Sequence, residues 1–396
     1  MSTPDIVIIG SGMGGATLAA GLVGSGARVM ILERGERIVD GPEVRDTVAI
    51  FQRGHFRPKE TWHEPNGKPF NPGNYYYVGG NTKLYGAVLI RYREMDFAAR
   101  SWAGGESPGW PINYDELEPW YAKAEALYRV RGQAGVDPTE PRRSTGYVHA
   151  PVPDEPDIAE ARAKLTGLGL KPFSLPLGVD IDRWLKRGKT PWDAYPDTRA
   201  GKMDAETCGL EAALADPNIE LVTNAHVDRL ETDPSGRTVT AVVYRDRAST
   251  THRLTPKLVV LAAGAVNSAL LLLRSANGAR PNGLANSADQ VGRHFMNHNA
   301  SAMLAIDPRR PNRAVYQKTL GLNDFYADDG RGGGPLGNIQ LLGKITGPIL
   351  SGQVPYAPRF ATDFLARHSI DWYLMSEDVP TRESRVFYDG DRVVLD

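Results

Sequence analysis

Three glycines near the start of the chain have a spacing that suits contact with phosphate groups. A short apolar run, residues 6–9, ends at Gly10, and Gly12 and Gly15 complete the pattern G-x-G-x-x-G. Gly10 allows a tight turn, Gly12 lets a pyrophosphate approach the backbone, and Gly15 lets a helix pack closely on the strand. The following helix directs free N–H groups and the positive end of its dipole at the phosphates. The pattern predicts a strand, a phosphate-binding turn and a helix.

A carboxylate follows the second predicted strand at the distance that a ribose contact requires. Residues 28–32 are predicted to form a second strand, and Glu33 comes directly after it, where it could accept hydrogen bonds from ribose hydroxyls. A tight turn without a ligand is the alternative, but the order of strand, turn, helix, strand and acid favours binding. A negative charge at this point would repel the additional phosphate of NADP. We therefore predict a bound adenine dinucleotide that lacks this phosphate.

The composition argues against several other classes of protein. The 396 residues carry a formal net charge of −1, so no basic surplus is available for nucleic acid or for an anionic membrane. The longest apolar runs are interrupted, for example at Gly264 and Asn267, which argues against a membrane span. Cys208 is the single cysteine, so we expect no intrachain disulfide and no metal site. The first strand begins within a few residues of Met1, which leaves no room for a secretory signal, and we expect a cytoplasmic location.

The rest of the chain divides into loop-rich, helical and strand-rich parts. Residues 36–75 are rich in loops and are predicted to cover a site. Residues 113–130 are predicted to form an amphipathic helix that is capped by Asn113 and Glu116. Its buried face is expected to contain Leu117, Trp120, Tyr121, Ala124 and Leu127.

Alternating sequence in the second half predicts strands. Residues 216–247 read as strands joined by a turn at 234–236, and a further strand opens into a helix over 266–274. Several alternating segments within 300–396 predict an antiparallel sheet.

Four stretches between residues 6 and 298 form a combined pattern, namely GSGMGGATLA with ERG at 33–35, VGGNTKLYGAVLIRYREMDF, LVVLAAGAVNSALLLLRSA and VGRHFMNH. In these stretches the chain resembles the glucose–methanol–choline (GMC) flavoprotein oxidoreductases, in particular their bacterial choline-dehydrogenase-like members. The joint order and spacing of the four stretches are more specific than a single glycine motif. The second and third stretches also argue against a flavin monooxygenase or an amine oxidase.

The resemblance implies FAD rather than NAD. The residues that it assigns to cofactor binding are Gly10, Ser11, Gly12, Met13, Gly14, Gly15, Glu33, Arg34, Gly79, Gly80, Asn81, Leu84, Tyr85, Gly86, Ala87, Val227, Ala263, Gly264 and Asn267. Val227 falls where relatives make a main-chain contact to adenine. Leu84 occupies the position at which some relatives attach FAD to a histidine, so we predict noncovalent FAD.

The implied fold class is α/β, with a Rossmann-type FAD-binding domain interleaved with a substrate domain built on an antiparallel sheet. The FAD-binding domain is expected over residues 1–50, 75–95 and 215–298, and the cover segments and substrate domain over 51–74, 96–214 and 299–396.

The implied reaction is oxidation of an alcohol, in which a base removes the hydroxyl proton while hydride passes to flavin N5. In the family, the catalytic histidine and its partner histidine or asparagine lie in a closing C-terminal segment, which we expect beyond Asp396. Three interpretations stay open: a truncated or partly ordered protein, a second polypeptide that supplies the segment, or a noncatalytic chain that only binds flavin. The extent of the flavin motifs favours the first. Among the histidines present, His298 and His368 are the candidates for the base, whereas His55, His63, His226 and His294 are interpreted as structural or solvated.

The substrate is expected to be a small alcohol, namely a sugar, a polyol or a glycoside hydroxyl. Two strands of the predicted substrate domain, residues 338–342 and 371–375, would line the substrate side of the flavin. On them, Gln340 could bind a polyol and Trp372 could stack on a sugar ring, although alternation leaves the direction of each side chain open. The electron acceptor stays open among oxygen, a quinone and a carrier protein.

Overall fold

The computed structural model describes residues 3–102, 105–331 and 334–396. The helices are α1 (Met13–Gly21), α2 (Tyr114–Leu127), α3 (Pro156–Gly167), α4 (Ile181–Leu185), α5 (Glu211–Ala213), α6 (Ala265–Arg274), α7 (Gly347–Gln353) and α8 (Arg359–Arg367). Short 3-10 or π turns occupy Pro42–Arg45, Val48–Gln52, Gly80–Lys83, Glu94–Phe97 and Ala205–Leu210.

The strands are β1 (Ile6–Ile9), β2 (Val29–Leu32), β3 (Trp62–His63), β4 (Pro69–Phe70), β5 (Arg100–Trp102), β6 (Gly105–Ser107), β7 (Phe173–Ser174), β8 (Ile219–Val222), β9 (His226–Thr232), β10 (Val239–Arg245), β11 (Thr251–Leu254), β12 (Leu258–Leu261), β13 (Asn299–Ile306), β14 (Leu320–Leu322), β15 (Asn338–Leu341), β16 (Ser369–Ser376), β17 (Val386–Asp389) and β18 (Arg392–Leu395).

A parallel sheet with the order β12-β1-β2-β8 forms the base of the first half of the fold. Strands β1 and β2 are nearly continuous apolar runs, because both faces of the sheet are covered. Helix α1 connects β1 to β2, as the glycine motif predicts. The antiparallel sheet β11-β10-β9 packs against it, and Val7, Val227 and Val242 share one apolar cluster between the two sheets.

An antiparallel sheet with the order β13-β16-β15-β14-β7 forms the base of the second half. One of its faces packs against α3, with Trp372, Leu341 and Ile158 in the shared core. The combination of this sheet with the parallel sheet confirms the predicted α/β class.

The last two strands correct the prediction that the C-terminal segments belong to one antiparallel sheet. Hairpin β17–β18 pairs with β3 and β4 in a separate sheet, in which Val394 lies opposite His63. The hairpin lies apart from the five-stranded sheet because it has its own apolar cluster, in which Val386 packs with Trp62 and with Leu270 of α6.

Helix α2 begins where the capping pattern predicts. The Asn113 side chain accepts a hydrogen bond from the Glu116 N–H (3.1 Å), and the Glu116 carboxylate accepts one from the Asn113 N–H (2.9 Å). These reciprocal bonds satisfy backbone donors that the first turn of a helix leaves free.

The buried face of α2 differs from the prediction at Trp120, whose side chain is 62% exposed. The centre of this face is instead the buried Arg91 guanidinium, which forms ion pairs with Glu118 (2.9 Å) and Glu125 (2.8 Å). Two acidic residues therefore point inward, because a buried cation needs charged partners. Arg91 lies 34 positions away from Glu125 in the sequence, so the apolar periodicity of the helix could not predict this pairing.

Candidate functional site

A cavity of about 810 Å³ lies at the carboxyl ends of β1, β2 and β12, and we call it the glycine-lined cavity. This edge of a parallel sheet is where doubly wound folds bind nucleotides, and the volume is within the usual range of about 300–1,000 Å³ for ligand sites. The residues predicted to bind the cofactor that line it are Gly10, Gly12, Met13, Gly14, Glu33, Arg34, Gly80, Asn81, Val227, Ala263, Gly264 and Asn267.

Glycine occupies the three motif positions for different structural reasons. Gly10 has φ +104°, and a Cβ there would lie 2.4 Å from the Ala262 carbonyl oxygen. A Cβ on Gly15 would lie 2.0 Å from the Gly10 carbonyl oxygen, where the helix crosses the turn. A Cβ on Gly12, by contrast, would meet no atom of the described residues within 4 Å. The fold itself requires Gly10 and Gly15, whereas Gly12 keeps space free at the cavity.

The amino-terminal end of α1 faces the cavity, and no side chain of the described residues caps it. Gly12 supplies no side-chain cap, and the first turn of α1 carries no acidic residue. The first backbone N–H groups of a helix need acceptors, and the dipole favours negative charge there. The end of α1 therefore suits an anionic group such as a phosphate.

Glu33 is buried beside the cavity and fixes the turn. One of its carboxylate oxygens accepts hydrogen bonds from the N–H (3.0 Å) and the hydroxyl (2.6 Å) of Ser11, and the other accepts the Gly35 N–H (2.9 Å). The Ser11 oxygen also accepts the N–H of Gly79 (3.2 Å). Ser11 and Gly79 do not line the cavity, and they instead join the first glycine turn to the second. The predicted contact of Glu33 with a ribose stays a prediction.

The second glycine segment, residues 79–87, is named the glycine-rich loop. Its first part borders the cavity, and a Cβ on Gly80 would lie 3.1 Å from the Cα of Gly12. The remaining predicted residues of this loop do not line the cavity, namely Leu84, Tyr85, Gly86 and Ala87. Of these, Leu84 and Ala87 are buried in the largest apolar cluster.

A wall of the cavity that the sequence reasoning missed is built around Tyr76. The Arg34 guanidinium lies 3.7 Å from the centroid of the Tyr76 ring. The Tyr76 hydroxyl donates to the Glu60 carboxylate, and the side-chain amide of Asn267 donates to it (3.5 Å). Burial, and then the hydrogen bond to Glu60, raise the pKa of Tyr76 to about 12. The signal available in the sequence was the run of three tyrosines directly before the glycine-rich loop.

Val227 and His226 lie at the opposite end of the cavity. The Val227 carbonyl accepts a hydrogen bond from the Arg274 guanidinium (3.0 Å). His226 Nδ1 lies 3.1 Å from an Asp228 oxygen, while burial and then Arg34 lower the pKa of this imidazole. His226 thus lines the cavity, and its lowered pKa favours the neutral imidazole. Its interpretation as strand packing did not include this position.

Neither candidate for the catalytic base lies at the cavity. His298 is exposed, and its backbone N–H donates to the side-chain oxygen of Asn297 (2.9 Å). His368 follows α8, where its Nδ1 lies 2.8 Å from the Phe364 carbonyl oxygen and its ring stacks on the Phe364 ring. Among the described residues, neither imidazole has a carboxylate partner that would orient it as a base. The structure therefore does not bring them to the predicted site.

The two predicted substrate residues lie on opposite faces of the five-stranded sheet. Gln340 is paired with Tyr373, and Leu341 is paired with Trp372, so each pair shares one face. Trp372 is 8% exposed in the core between the sheet and α3. The structure therefore does not bring Gln340 and Trp372 to one ligand.

The face that carries Gln340 and Tyr373 is directed toward the glycine-rich loop. Lys318 forms an ion pair with Asp193 (2.8 Å), and its Nζ lies 5.9 Å from the centroid of the Tyr373 ring. A Cβ on Gly86 would lie 2.7 Å from Cε of Lys318. Lys318, Asp193 and Tyr373 are thus polar residues beside the loop that the sequence reasoning missed, because no local pattern marks them.

Two further sequence predictions concern metals and membranes. Over the described ranges, no group of three or more His, Cys, Asp or Glu side chains could hold a metal ion. No helix in this part of the chain is long and apolar enough to cross a membrane. Cys208 is buried, and burial raises the pKa of its thiol to about 12.

The parallel sheet, the uncapped helix and the glycine-lined cavity together define a dinucleotide-binding fold of the doubly wound class. The sequence pattern of the family described as GMC oxidoreductase matches residues 5–300. The chain therefore belongs to the GMC oxidoreductase family, which confirms the resemblance seen in its motifs.

Relatives of known activity agree with this assignment. Paromamine 6'-oxidase of Streptomyces fradiae is 33% identical over 303 residues, which cover 73% of this chain and 52% of that protein. The large subunit of fructose dehydrogenase from Gluconobacter japonicus is 29% identical over 328 residues, which cover 74% of this chain and 58% of the relative. The chain thus spans little more than half the length of these relatives.

The crystal structure of pyridoxine 4-oxidase from Mesorbium loti is similar in fold. The two chains superpose with a TM-score of 0.66 at 20% sequence identity, over 99% of this chain and 75% of the other. This likeness supports the α/β architecture.

Proposed function

We propose that the chain binds FAD noncovalently in the glycine-lined cavity and takes part in the oxidation of an alcohol to a carbonyl compound. The observation that carries this proposal is the uncapped amino-terminal end of α1 at Gly12, which faces a cavity of about 810 Å³ at the edge of a parallel sheet. Membership in the GMC oxidoreductase family supports FAD as the dinucleotide. Bound FAD would supply the acceptor of the hydride.

The residues present fit this group. Gly12 leaves space for a pyrophosphate, since a Cβ at this position would meet no atom of the described residues within 4 Å, and the first turn of α1 offers N–H groups. Glu33 borders the cavity where ribose hydroxyls could donate to it, and Val227 lies at the far end, where the adenine would be bound. Gly80 and Asn81 would carry the glycine-rich loop along the rest of the cofactor.

The expected substrate is a sugar, a polyol or a glycoside hydroxyl. The names of two relatives support this class, because one is an oxidase of paromamine and the other a dehydrogenase of fructose. Gln340 is the residue of this chain that we assign to the substrate, since its side-chain oxygen is buried without a donor among the described residues. Such an acceptor suits a hydroxyl group of the substrate.

A second candidate function is a chain that binds flavin but needs a partner for turnover. The positions of His298 and His368, both away from the cavity, favour it. A second polypeptide would then supply the base. The electron acceptor, whether oxygen, a quinone or a carrier protein, is common to both proposals.

One experiment separates the two candidates. The purified chain is loaded with FAD, its visible spectrum is recorded, and paromamine, fructose and a simple polyol are added without oxygen. Loss of the visible flavin band with one of these alcohols supports alcohol oxidation by this chain. A yellow protein that none of them bleaches supports the partner-dependent function, and a colourless protein contradicts both.

A further inference from the structure

The carbonyl groups of three successive residues in the glycine-rich loop accept hydrogen bonds from a single segment, residues 178–202. Lys202 Nζ donates to the Tyr85 carbonyl (2.9 Å), and Trp192 Nε1 donates to the Gly86 carbonyl (3.1 Å). The Gly178 N–H then donates to the Ala87 carbonyl (2.9 Å).

The N–H groups of the same loop residues have no comparable partners. Among the described residues, neither the N–H of Gly86 nor that of Ala87 has a hydrogen-bond acceptor, although Ala87 is fully buried. Buried backbone N–H groups without an acceptor are rare in folded proteins. The free donor of Gly86, on a partly exposed residue of a loop whose first part borders the cavity, points to a ligand that accepts hydrogen bonds.

A fully buried lysine such as Lys202 is an unusual donor to backbone carbonyl groups if its function is only structural. Its side chain is fully buried, and within the described ranges its Nζ bonds the carbonyl oxygens of Tyr85 and Trp192, with no carboxylate in hydrogen-bond contact. A buried ammonium group without a carboxylate partner is costly. This cost supports a function for Lys202 in positioning a binding site, beyond stabilising the fold.

We propose that Lys202 and Trp192 are positioning residues for the flavin. They hold the carbonyl groups of Tyr85 and Gly86, so that the N–H group of the partly exposed Gly86 stays available to an acceptor atom of the ring. This inference rests on the proposed function, because it takes FAD as the ligand.

Two tryptophans give a matched test. In Trp192→Phe an aromatic ring is kept and the donor to the Gly86 carbonyl is lost. In the control Trp184→Phe an equally buried indole loses its bond to the Thr190 carbonyl (2.7 Å), which lies outside the loop. Lys202→Met is a second variant, and Trp192→Phe keeps the test informative if Lys202→Met does not fold.

The measurements are the dissociation constant of FAD, by fluorescence titration, and the shape of the visible flavin band. We expect Trp192→Phe and Lys202→Met to bind FAD roughly 3- to 10-fold more weakly, the equivalent of one hydrogen bond, with an altered band. We expect Trp184→Phe to retain the wild-type band and affinity. Equal effects of Trp192→Phe and Trp184→Phe, or no effect of Trp192→Phe, would overturn this inference while the proposed function stands. A wild-type chain that takes up no FAD would overturn both.

Discussion

The Ser11 hydroxyl lies 2.6 Å from the Glu33 carboxylate, and the same hydroxyl oxygen accepts the N–H of Gly79. One side chain therefore joins the first glycine turn, the end of β2 and the glycine-rich loop. These three segments meet at the cavity, so its shape depends on a bond that crosses between distant parts of the chain.

Replacement of Ser11 by alanine should destabilise the fold. The substitution removes one of the two Ser11 donors to the buried Glu33 carboxylate and leaves the Gly79 N–H without its acceptor, and an unsatisfied buried group costs about 1–3 kcal/mol. We expect the free energy of unfolding in urea to fall by this order. Ser25→Ala, at an exposed position, is the control and should change it by less than about 0.5 kcal/mol. Equal stability of both variants would contradict the bridging function of Ser11.

Gly12→Val should abolish cofactor binding and leave the fold intact. A Cβ at this position meets no atom of the described residues, but it occupies the space assigned to the pyrophosphate. We expect the dissociation constant of FAD to rise at least about 100-fold, which corresponds to about 2.8 kcal/mol. The control is Gly21→Val at the exposed end of α1, where the described residues also leave space for a Cβ. If both variants bind FAD with wild-type affinity, the phosphates do not lie at Gly12.

Substitutions of Gln340 and Trp372 should have opposite consequences. Trp372→Ala removes a core side chain and is expected to cost about 3–5 kcal/mol of unfolding free energy. Gln340→Leu removes an amide whose oxygen has no donor among the described residues, so we expect little change in stability and a slower reduction of the flavin by the alcohol. Urea unfolding and anaerobic reduction rates measure the two effects. A large loss of stability in Gln340→Leu would assign this residue to the core instead.

Lys202 should make stability depend on pH in the neutral to alkaline range. Burial lowers its pKa from 10.5 to about 7, an effect that Asp197, Asp204 and Asp193 oppose and Lys83 adds to. Between these two values the unfolded chain binds more protons than the folded chain, so the contribution of Lys202 to unfolding free energy increases as pH rises.

The measurement is the difference in unfolding free energy between the wild type and Lys202→Met at pH values of about 6.5 and about 9, because contributions of other groups largely cancel in this difference. We expect the wild type to gain stability relative to the variant at the higher pH. A difference that is the same at both pH values would mean that Lys202 keeps its ordinary pKa in the folded chain.

The parallel sheet and the glycine turn could be predicted because their causes are local. Apolar runs form β1 and β2, and both the positive φ of Gly10 and the close contact of Gly15 with Gly10 arise within the motif itself. The Asn113 cap of α2 was predictable for the same reason.

The other features depend on contacts that no local pattern encodes. Trp120 is exposed because Arg91, on another segment, draws acidic residues to the inner face of α2. The direction of Trp372 follows from the pairing of β15 with β16, whereas alternation alone allows both faces. The bond from Lys202 to Tyr85 joins residues that are 117 positions apart.

The decisive measurement is an equilibrium titration of the purified chain with FAD, followed by flavin fluorescence, with NADP as a negative control. We predict that one FAD binds per chain, that the protein becomes yellow, and that Gly12→Val abolishes this binding. A chain that folds but shows no flavin colour after incubation with excess FAD and removal of the unbound cofactor would contradict the assignment of the glycine-lined cavity to FAD.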